Sequence, residues 1–120
     1  MPRSNLHADD LVRIRHMIDA AEAAETFVSG RSRQDLDGDR MLLFALVRAI
    51  EVLGEAAAKV SVETRASAPD VPWAAITGMR NRLVHGYFDI DANIVWKTVT
   101  VELPQLVRRL RALTPEHGAS

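Results

Sequence analysis

The stretch from Gly38 to Val62, GDRMLLFALVRAIEVLGEAAAKVSV, decides the fold. Its apolar residues recur at spacings of three and four without a break, which is the pattern of an amphipathic α-helix. A second apolar row beside the first widens the hydrophobic face beyond what one partner helix would cover. The two rows are Leu43, Leu46, Ile50, Leu53, Ala57 and Val60, and Met41, Ala45, Ala49, Val52 and Ala56. Such a helix is central in a bundle, or it faces a second protomer as well.

The segment before this helix has the same periodicity. It is predicted to be helical from about Leu6 to Val28, with Ser4 or Asn5 as the cap of its first turn. Gly30 follows the segment and suits the left-handed backbone conformation that often ends a helix.

Two further helices are predicted after the central one. A short helix begins after Pro72 and is expected to reach about His85, where Gly86 breaks it. The last helix spans residues 91–113 and contains Pro104, which predicts a kink or a restart because proline lacks the N–H that would bond to residue 100. No segment has a convincing strand pattern. We therefore expect an all-α, up-and-down bundle of four to five helices, with its core at about residues 5–113 and a loose tail at residues 114–120.

Length and composition limit the class of protein. The chain has 120 residues, which suits one domain, and a formal net charge of −1. Overall charge therefore gives no attraction to nucleic acid, so that RNA contact would need a local basic patch. There is no cysteine, which excludes disulfides and thiolate metal sites and fits a reducing cytoplasm. No apolar run approaches the roughly 18 residues of a membrane span, and a cytoplasmic location is expected.

The residues most suited to chemistry lie in the segment MRNRLVHGY, residues 79–87. If the third helix continues to His85, then Asn81 and His85 are four residues apart and share a face. Leu83 belongs to the core row and lies about 200° around the helix from both. The Asn81–His85 pair would therefore point away from the core, towards solvent or another subunit.

An imidazole beside guanidinium groups and an amide is suited to cleaving a phosphodiester. His85 can exchange a proton near neutral pH, and Arg80 matches the charge and planar geometry of phosphate oxygens. Arg82 adds a second cation, and Asn81 would orient the imidazole or bond the phosphate. One copy of this site supplies a single histidine, so a two-fold dimer would provide both an acid and a base. On spacing alone, a surface histidine near a helix C-terminus, where a cation is favoured, is the simpler interpretation.

Residues 80–87, RNRLVHGY, resemble the R-X4-H-X-Y motif of the HepT toxins of the HEPN superfamily. The similarity extends to residues 50–56, to Pro72-Trp73, to residues 87–91, and to the later Val95-Trp96 and Leu103-Pro104 pairs. It covers about residues 5–112.

The resemblance implies a HEPN-like helical bundle that forms a homodimer, in which two motifs line a cleft at the interface. It implies that Arg80 and His85 are the catalytic pair of an RNA endonuclease that needs no metal and no cofactor, with Asn81 assisting. It also implies a partner, a minimal nucleotidyltransferase antitoxin, which transfers AMP from ATP to Tyr87. A bulky anionic AMP two residues from His85 would block phosphate entry by charge and size. The implied system is a toxin–antitoxin pair of a type VII-like kind.

Other interpretations of the same residues remain open. Glu51 and Glu55 are four residues apart and resemble a paired-carboxylate site, but Arg48 precedes them at ion-pair spacing and no histidine lies at ligand spacing. We therefore predict an ion-pair network and no metal site there, with Arg48 also a candidate for the cleft. For the whole chain, the alternatives are a non-catalytic helical binding partner or substrate of a nucleotidyltransferase, and a helical dimer without cleft chemistry.

Overall fold

The computed structural model describes residues 6–85 and 89–115. The helices in these ranges are α1 (Ala8–Val28), α2 (Asp35–Gly38), α3 (Arg40–Ala58), α4 (Val62–Ser67), α5 (Trp73–Thr77), α6 (Met79–Leu83), α7 (Ala92–Lys97), a π-helix (Thr98–Glu102) and α8 (Leu103–Arg111). Two short strands, β1 (Val84–His85) and β2 (Asp89–Ile90), pair in an antiparallel ladder. Within the described ranges, no helix combines the length and the apolar character that crossing a membrane would need.

The predicted all-helical bundle is confirmed, with α3 at its centre. This helix packs along α1 and also contacts α2, α5, α6 and α7, while α1 contacts α8 on another side. Leu46, Ile50 and Leu53 of the predicted core row are fully buried. Burying this row removes apolar surface from water, which is the main term that holds such a bundle together.

The second apolar row of α3 is only partly buried. Ala56 lies in the core, but Met41 is 84% exposed. Phe44 is 48% exposed, and the guanidinium carbon of Arg40 lies 4.9 Å from the centre of its ring. The N-terminal half of α3 therefore carries an apolar surface, Met41 and Phe44, which we call the Met41–Phe44 patch.

Both long helices begin at side-chain caps. The Asp39 carboxylate accepts the Leu42 N–H at 3.0 Å, and His7 Nδ1 accepts the Asp9 N–H at 3.3 Å. His7 therefore caps α1, whereas the predicted caps Ser4 and Asn5 lie outside the described residues. Gly30 has φ of 73°, which confirms the left-handed conformation predicted after α1.

Helix α4 was not predicted from periodicity, and it is held by a buried carboxylate. The Asp10 side chain accepts the Ser61 N–H at 2.8 Å, the Ser61 hydroxyl at 2.6 Å and the Thr64 hydroxyl at 2.5 Å. Burial raises the pKa of Asp10, but these hydrogen bonds outweigh it and hold the pKa below its ordinary value. Asp10 thus joins the first turn of α1 to the first turn of α4.

The third predicted helix is confirmed in part: it is interrupted at Gly78 and ends two residues before His85. The segment forms two short helices, α5 and α6, on either side of Gly78, and α6 ends at Leu83. Val84 is extended, with φ of −121° and ψ of 122°. The Leu83 carbonyl accepts the Asp91 N–H at 2.7 Å, so the returning chain takes the acceptor that a longer helix would have used. The prediction of no strand is wrong for the same reason.

The restart predicted at Pro104 is confirmed. Pro104 lies in the first turn of α8, and the turn before it is a π-helix in which the Leu103 N–H bonds to the Thr98 carbonyl. Because the turn before Pro104 is wider, the helical chain continues from the π-helix into α8 although proline has no N–H to donate. Beyond α8, Thr114 is buried and its hydroxyl donates to the Arg111 carbonyl at 2.8 Å, so the chain is still packed where the loose tail was expected to begin.

Candidate functional site

Arg80 lies on α6, a helix whose position is fixed by two buried side chains. Met79 and Leu83 are four residues apart and are 3% and 0% exposed, so this face of α6 packs into the core. Arg80, Asn81 and Arg82 between them are exposed. The polar residues of the motif on α6 therefore face outward, while the opposite face of the helix packs into the core.

A groove of about 550 Å³ separates α3 from α5 and α6. It is lined by Arg48, Ile50, Glu51, Gly54, Glu55, Ala58, Thr77, Arg80 and Asn81. The floor is narrow at Gly54, where a Cβ atom would lie 3.3 Å from the Ile76 carbonyl oxygen. Glycine at this position lets the backbone of α5 approach α3 closely and so brings α6 within side-chain reach of α3.

Four charged side chains meet in this groove. Arg48 Nη1 lies 3.5 Å from Glu51 and 3.7 Å from Glu55, which confirms the predicted ion-pair network along α3. Arg80 Nε donates to Glu51 Oε2 at 2.9 Å, which extends the network from α3 to α6. The structure thus places Arg48, Arg80 and Asn81 on one surface.

The contact between Glu51 and Arg80 was missed by the sequence reasoning. The two residues are 29 positions apart, and helical periodicity relates only residues within a few turns. Helical spacing places Glu51 on the polar side of α3 with Arg48 and Glu55, so the sequence carries no signal of a partner on another helix.

His85 lies elsewhere than predicted. It belongs to β1, is exposed, and pairs with Asp89 of β2 in the antiparallel ladder. The predicted helix face shared by Asn81 and His85 is therefore wrong, because α6 ends two residues before His85. Asn81 lines the groove, and His85 is not among the lining residues.

Arg82 also has a carboxylate partner. Its Nη2 lies 3.5 Å from Glu102 in the π-helix, with both side chains partly exposed. Arg80 and Arg82 are thus each paired with a carboxylate from another helix. Tyr87, the predicted site of modification, lies outside the described residues.

Trp73 and Trp96 belong to the packing and not to the groove. Trp73 is buried and its Nε1 donates to the Ala68 carbonyl at 3.0 Å, while Trp96 packs against the core from a partly buried position. Neither ring is one of the groove's lining residues.

Comparison with known proteins places the chain in a family. A family model described as ribonuclease HepT-like matches residues 17–113, which include α3, the groove and the motif. The chain is 34% identical over 100 residues to a protein of Caldanaerobacter subterraneus named "Putative RNase", covering 83% of this chain and 89% of the relative. It is 31% identical over 100 residues to "Probable ribonuclease HepT" of Thermococcus cleftensis, covering 83% of this chain and 91% of the relative. No solved structure is significantly similar to it. The chain belongs to the ribonuclease HepT-like family.

Proposed function

We propose that this protein is a metal-independent RNA endonuclease, the toxin of a type VII-like toxin–antitoxin pair, with Arg80 and His85 as its catalytic residues. Membership of a ribonuclease family and the names of the two relatives support an RNA substrate. The observation that carries the assignment to Arg80 is its place on the groove. The side chain is about half exposed, and within the described residues only its Nε is bonded, which leaves both terminal amino groups for a phosphate.

The proposed reaction is transesterification within the RNA. The 2′-oxygen attacks the adjacent phosphorus, the bond from phosphorus to the 5′-oxygen breaks, and the products carry a 2′,3′-cyclic phosphate and a 5′-hydroxyl. His85 takes the proton from the 2′-hydroxyl or gives one to the leaving 5′-oxygen. Arg80 binds the non-bridging oxygens, where negative charge grows in the transition state, and Asn81 assists as a hydrogen-bond donor. Arg82 and Arg48 supply further positive charge at the cleft.

The proposed active form is a homodimer. A single chain has one motif histidine, and a two-fold axis would bring a second copy to the same cleft and so supply both an acid and a base. The Met41–Phe44 patch supports this arrangement, because the two side chains are three residues apart on one helix and expose apolar surface that an interface would remove from water.

The proposed control of the toxin is covalent. A minimal nucleotidyltransferase antitoxin would transfer AMP from ATP to the Tyr87 hydroxyl, releasing pyrophosphate. Tyr87 follows His85 by two residues in the sequence, and a bulky anionic group there would oppose the entry of a phosphate by its charge and size.

A second candidate is a non-catalytic binding partner or substrate of that nucleotidyltransferase. The exposed Met41–Phe44 patch fits a docking surface as well as it fits a dimer interface. Toxicity separates the two functions: the endonuclease is toxic when expressed without the antitoxin and loses this toxicity in Arg80→Ala, whereas the binding partner is equally harmless in both forms.

The direct test uses purified protein and RNA in the presence of EDTA. We expect cleavage to give 2′,3′-cyclic phosphate ends, identified by mass spectrometry, and to be lost in His85→Ala and in Arg80→Ala. Cleavage that needs a divalent metal, or that persists in His85→Ala, contradicts the proposal.

A further inference from the structure

We infer that Glu51 is a positioning residue for Arg80, holding its guanidinium by Nε so that the two terminal amino groups face the phosphate. The inference rests on the proposed function, since it concerns how Arg80 meets the RNA. Glu51 is not part of the R-X4-H-X-Y motif and lies on another helix, α3.

The geometry favours this role. A guanidinium is planar and has five N–H donors, of which one belongs to Nε. The 2.9 Å bond from Nε to Glu51 fixes the plane and leaves the four donors of the terminal amino groups unbonded within the described residues. Two parallel N–H groups on that edge match two oxygens of one phosphate. Without the bond, the long side chain would rotate freely and lose this match.

Glu51 and Arg80 differ in side-chain exposure and in the length of the helix that carries them. Glu51 lies on α3, the central helix, and its side chain is 26% exposed, whereas that of Arg80 is 53% exposed and lies on a helix of five residues. The Glu51 carboxylate, on the long central helix, is therefore suited to orient the Arg80 guanidinium on the short helix α6.

The negative charge of Glu51 also bears on this role. A carboxylate close to a phosphate site repels the substrate, so Glu51 weakens RNA binding unless its hydrogen bond to Arg80 compensates. Arg48 lies 3.5 Å from Glu51 and offsets part of that repulsion. An exposed ion pair of this kind adds little to folding stability.

The experiment measures kcat and KM for RNA cleavage by Glu51→Ala, Glu51→Gln and Glu55→Ala. Glu55 is the matched control: it lies one turn further along α3 and has the same charge, but its partner is Arg48 at 3.7 Å and not Arg80. Loss of orientation should lower kcat of Glu51→Ala about 100-fold without raising KM. Glu51→Gln should recover most of kcat because its amide oxygen still accepts from Nε. Glu55→Ala should lower KM, because the groove loses a negative charge and Arg48 loses one of its two carboxylate partners, and should not reproduce the fall in kcat because the bond between Glu51 and Arg80 stays in place.

The outcomes separate this inference from the proposed function. If Arg80→Ala is inactive but Glu51→Ala keeps the wild-type kcat, or if Glu51→Ala and Glu55→Ala behave alike, the positioning role is wrong and the nuclease assignment stands. If the wild-type protein cleaves no RNA, the assignment fails, and nuclear magnetic resonance still tests the contact. Hydrogen exchange of the Arg80 Nε–H should be slow in the wild type and in Glu55→Ala and fast in Glu51→Ala. Equal exchange in all three overturns the inference.

Discussion

His85 lies directly opposite Asp89 in the two-residue ladder that follows α6. Next to this pair, Val84 lies opposite Ile90, and the Leu83 carbonyl accepts the Asp91 N–H at 2.7 Å. The two proposed catalytic residues are therefore carried by different elements, Arg80 by a helix and His85 by a strand. Their relative position depends on how the chain reverses after Leu83, and not on helical spacing.

The exposed position of His85 separates its effect on activity from its effect on folding. His85→Ala removes an exposed side chain, so the free energy of unfolding should change by no more than about 0.5 kcal/mol. Cleavage should fall about 100-fold or more, as expected for loss of a general acid or base. Urea unfolding and a cleavage assay on the same preparation measure both quantities. A large loss of stability would mean that the histidine is structural.

The chain reversal itself depends on Asp91. Its carboxylate accepts the Asn93 N–H at 3.1 Å and the Ile94 N–H at 3.2 Å, which caps α7, while its own N–H bonds to Leu83. Asp91→Ala should lower the free energy of unfolding by about 1 kcal/mol through loss of the cap. Asp89→Ala is the control, because Asp89 is exposed and caps no helix. Equal destabilisation by the two substitutions in urea unfolding would show that the cap contributes nothing.

The same region marks the limit of what the sequence predicts. Spacings of three and four located the core of α3 because the side chains on one helical face repeat locally. The end of α6 depends on the Asp91 N–H, which reaches the Leu83 carbonyl from eight residues later, and no local pattern contains that competitor. The Glu51–Arg80 bond is hidden for the same reason, since it joins two helices.

The family resemblance and helical geometry make different predictions from the same motif. The resemblance pairs Arg80 with His85 by their order in the motif, and this pairing does not depend on the conformation between them. The prediction from helical spacing requires one continuous helix over residues 81–85, which would place Asn81 beside His85. The structure has Asn81 on the groove and His85 on the ladder.

Asp10 predicts how stability depends on pH. Its pKa is lower in the folded protein than in the unfolded chain, so its stabilising contribution is complete above the unfolded pKa and is lost as the pH falls through the folded pKa. Asp10→Ala should lower the free energy of unfolding by about 2–3 kcal/mol at neutral pH, because three hydrogen-bond donors, of which the Thr64 hydroxyl is buried, lose a charged acceptor. The difference from the wild type should shrink below about pH 4.

Asp9→Ala is the control for this measurement, since the Asp9 side chain is 88% exposed. Urea unfolding at several pH values compares the three proteins. A difference between Asp10→Ala and the wild type that stays constant from neutral to acidic pH would contradict the role given to the Asp10 carboxylate.

Gly54 lets α3 and α5 pack closely, and a larger residue at this position should force the two helices apart. A Cβ atom there would already lie 3.3 Å from the Ile76 carbonyl oxygen, and that oxygen belongs to backbone that cannot rotate away. Gly54→Val should therefore push α5 from α3 and lower the free energy of unfolding by about 2 kcal/mol, the usual cost of overpacking. Because α6 follows α5 directly, the bond between Arg80 and Glu51 should lengthen and RNA cleavage should fall as well. Gly38→Val is the control, since nothing lies within 4 Å of a Cβ atom at Gly38. Equal stability of the two variants would show that the close approach at Gly54 is not needed.

The Met41–Phe44 patch predicts the oligomeric state on which a composite site depends. Phe44→Glu places a charge in the centre of the patch, and desolvating that charge in an interface would cost more than the dimer gains there. Sedimentation velocity at micromolar concentration should show a dimer for the wild type and a monomer for Phe44→Glu. Phe27→Glu is the control: Phe27 is 42% exposed, close to the 48% of Phe44, but it lies on α1 and outside the patch. RNA cleavage should be lost with the dimer in Phe44→Glu and kept in Phe27→Glu, because one chain carries a single motif histidine and cannot supply both the acid and the base. A monomeric Phe44→Glu protein that still cleaves RNA at the wild-type rate would require each chain to hold a complete site, with a second proton-transfer group other than His85.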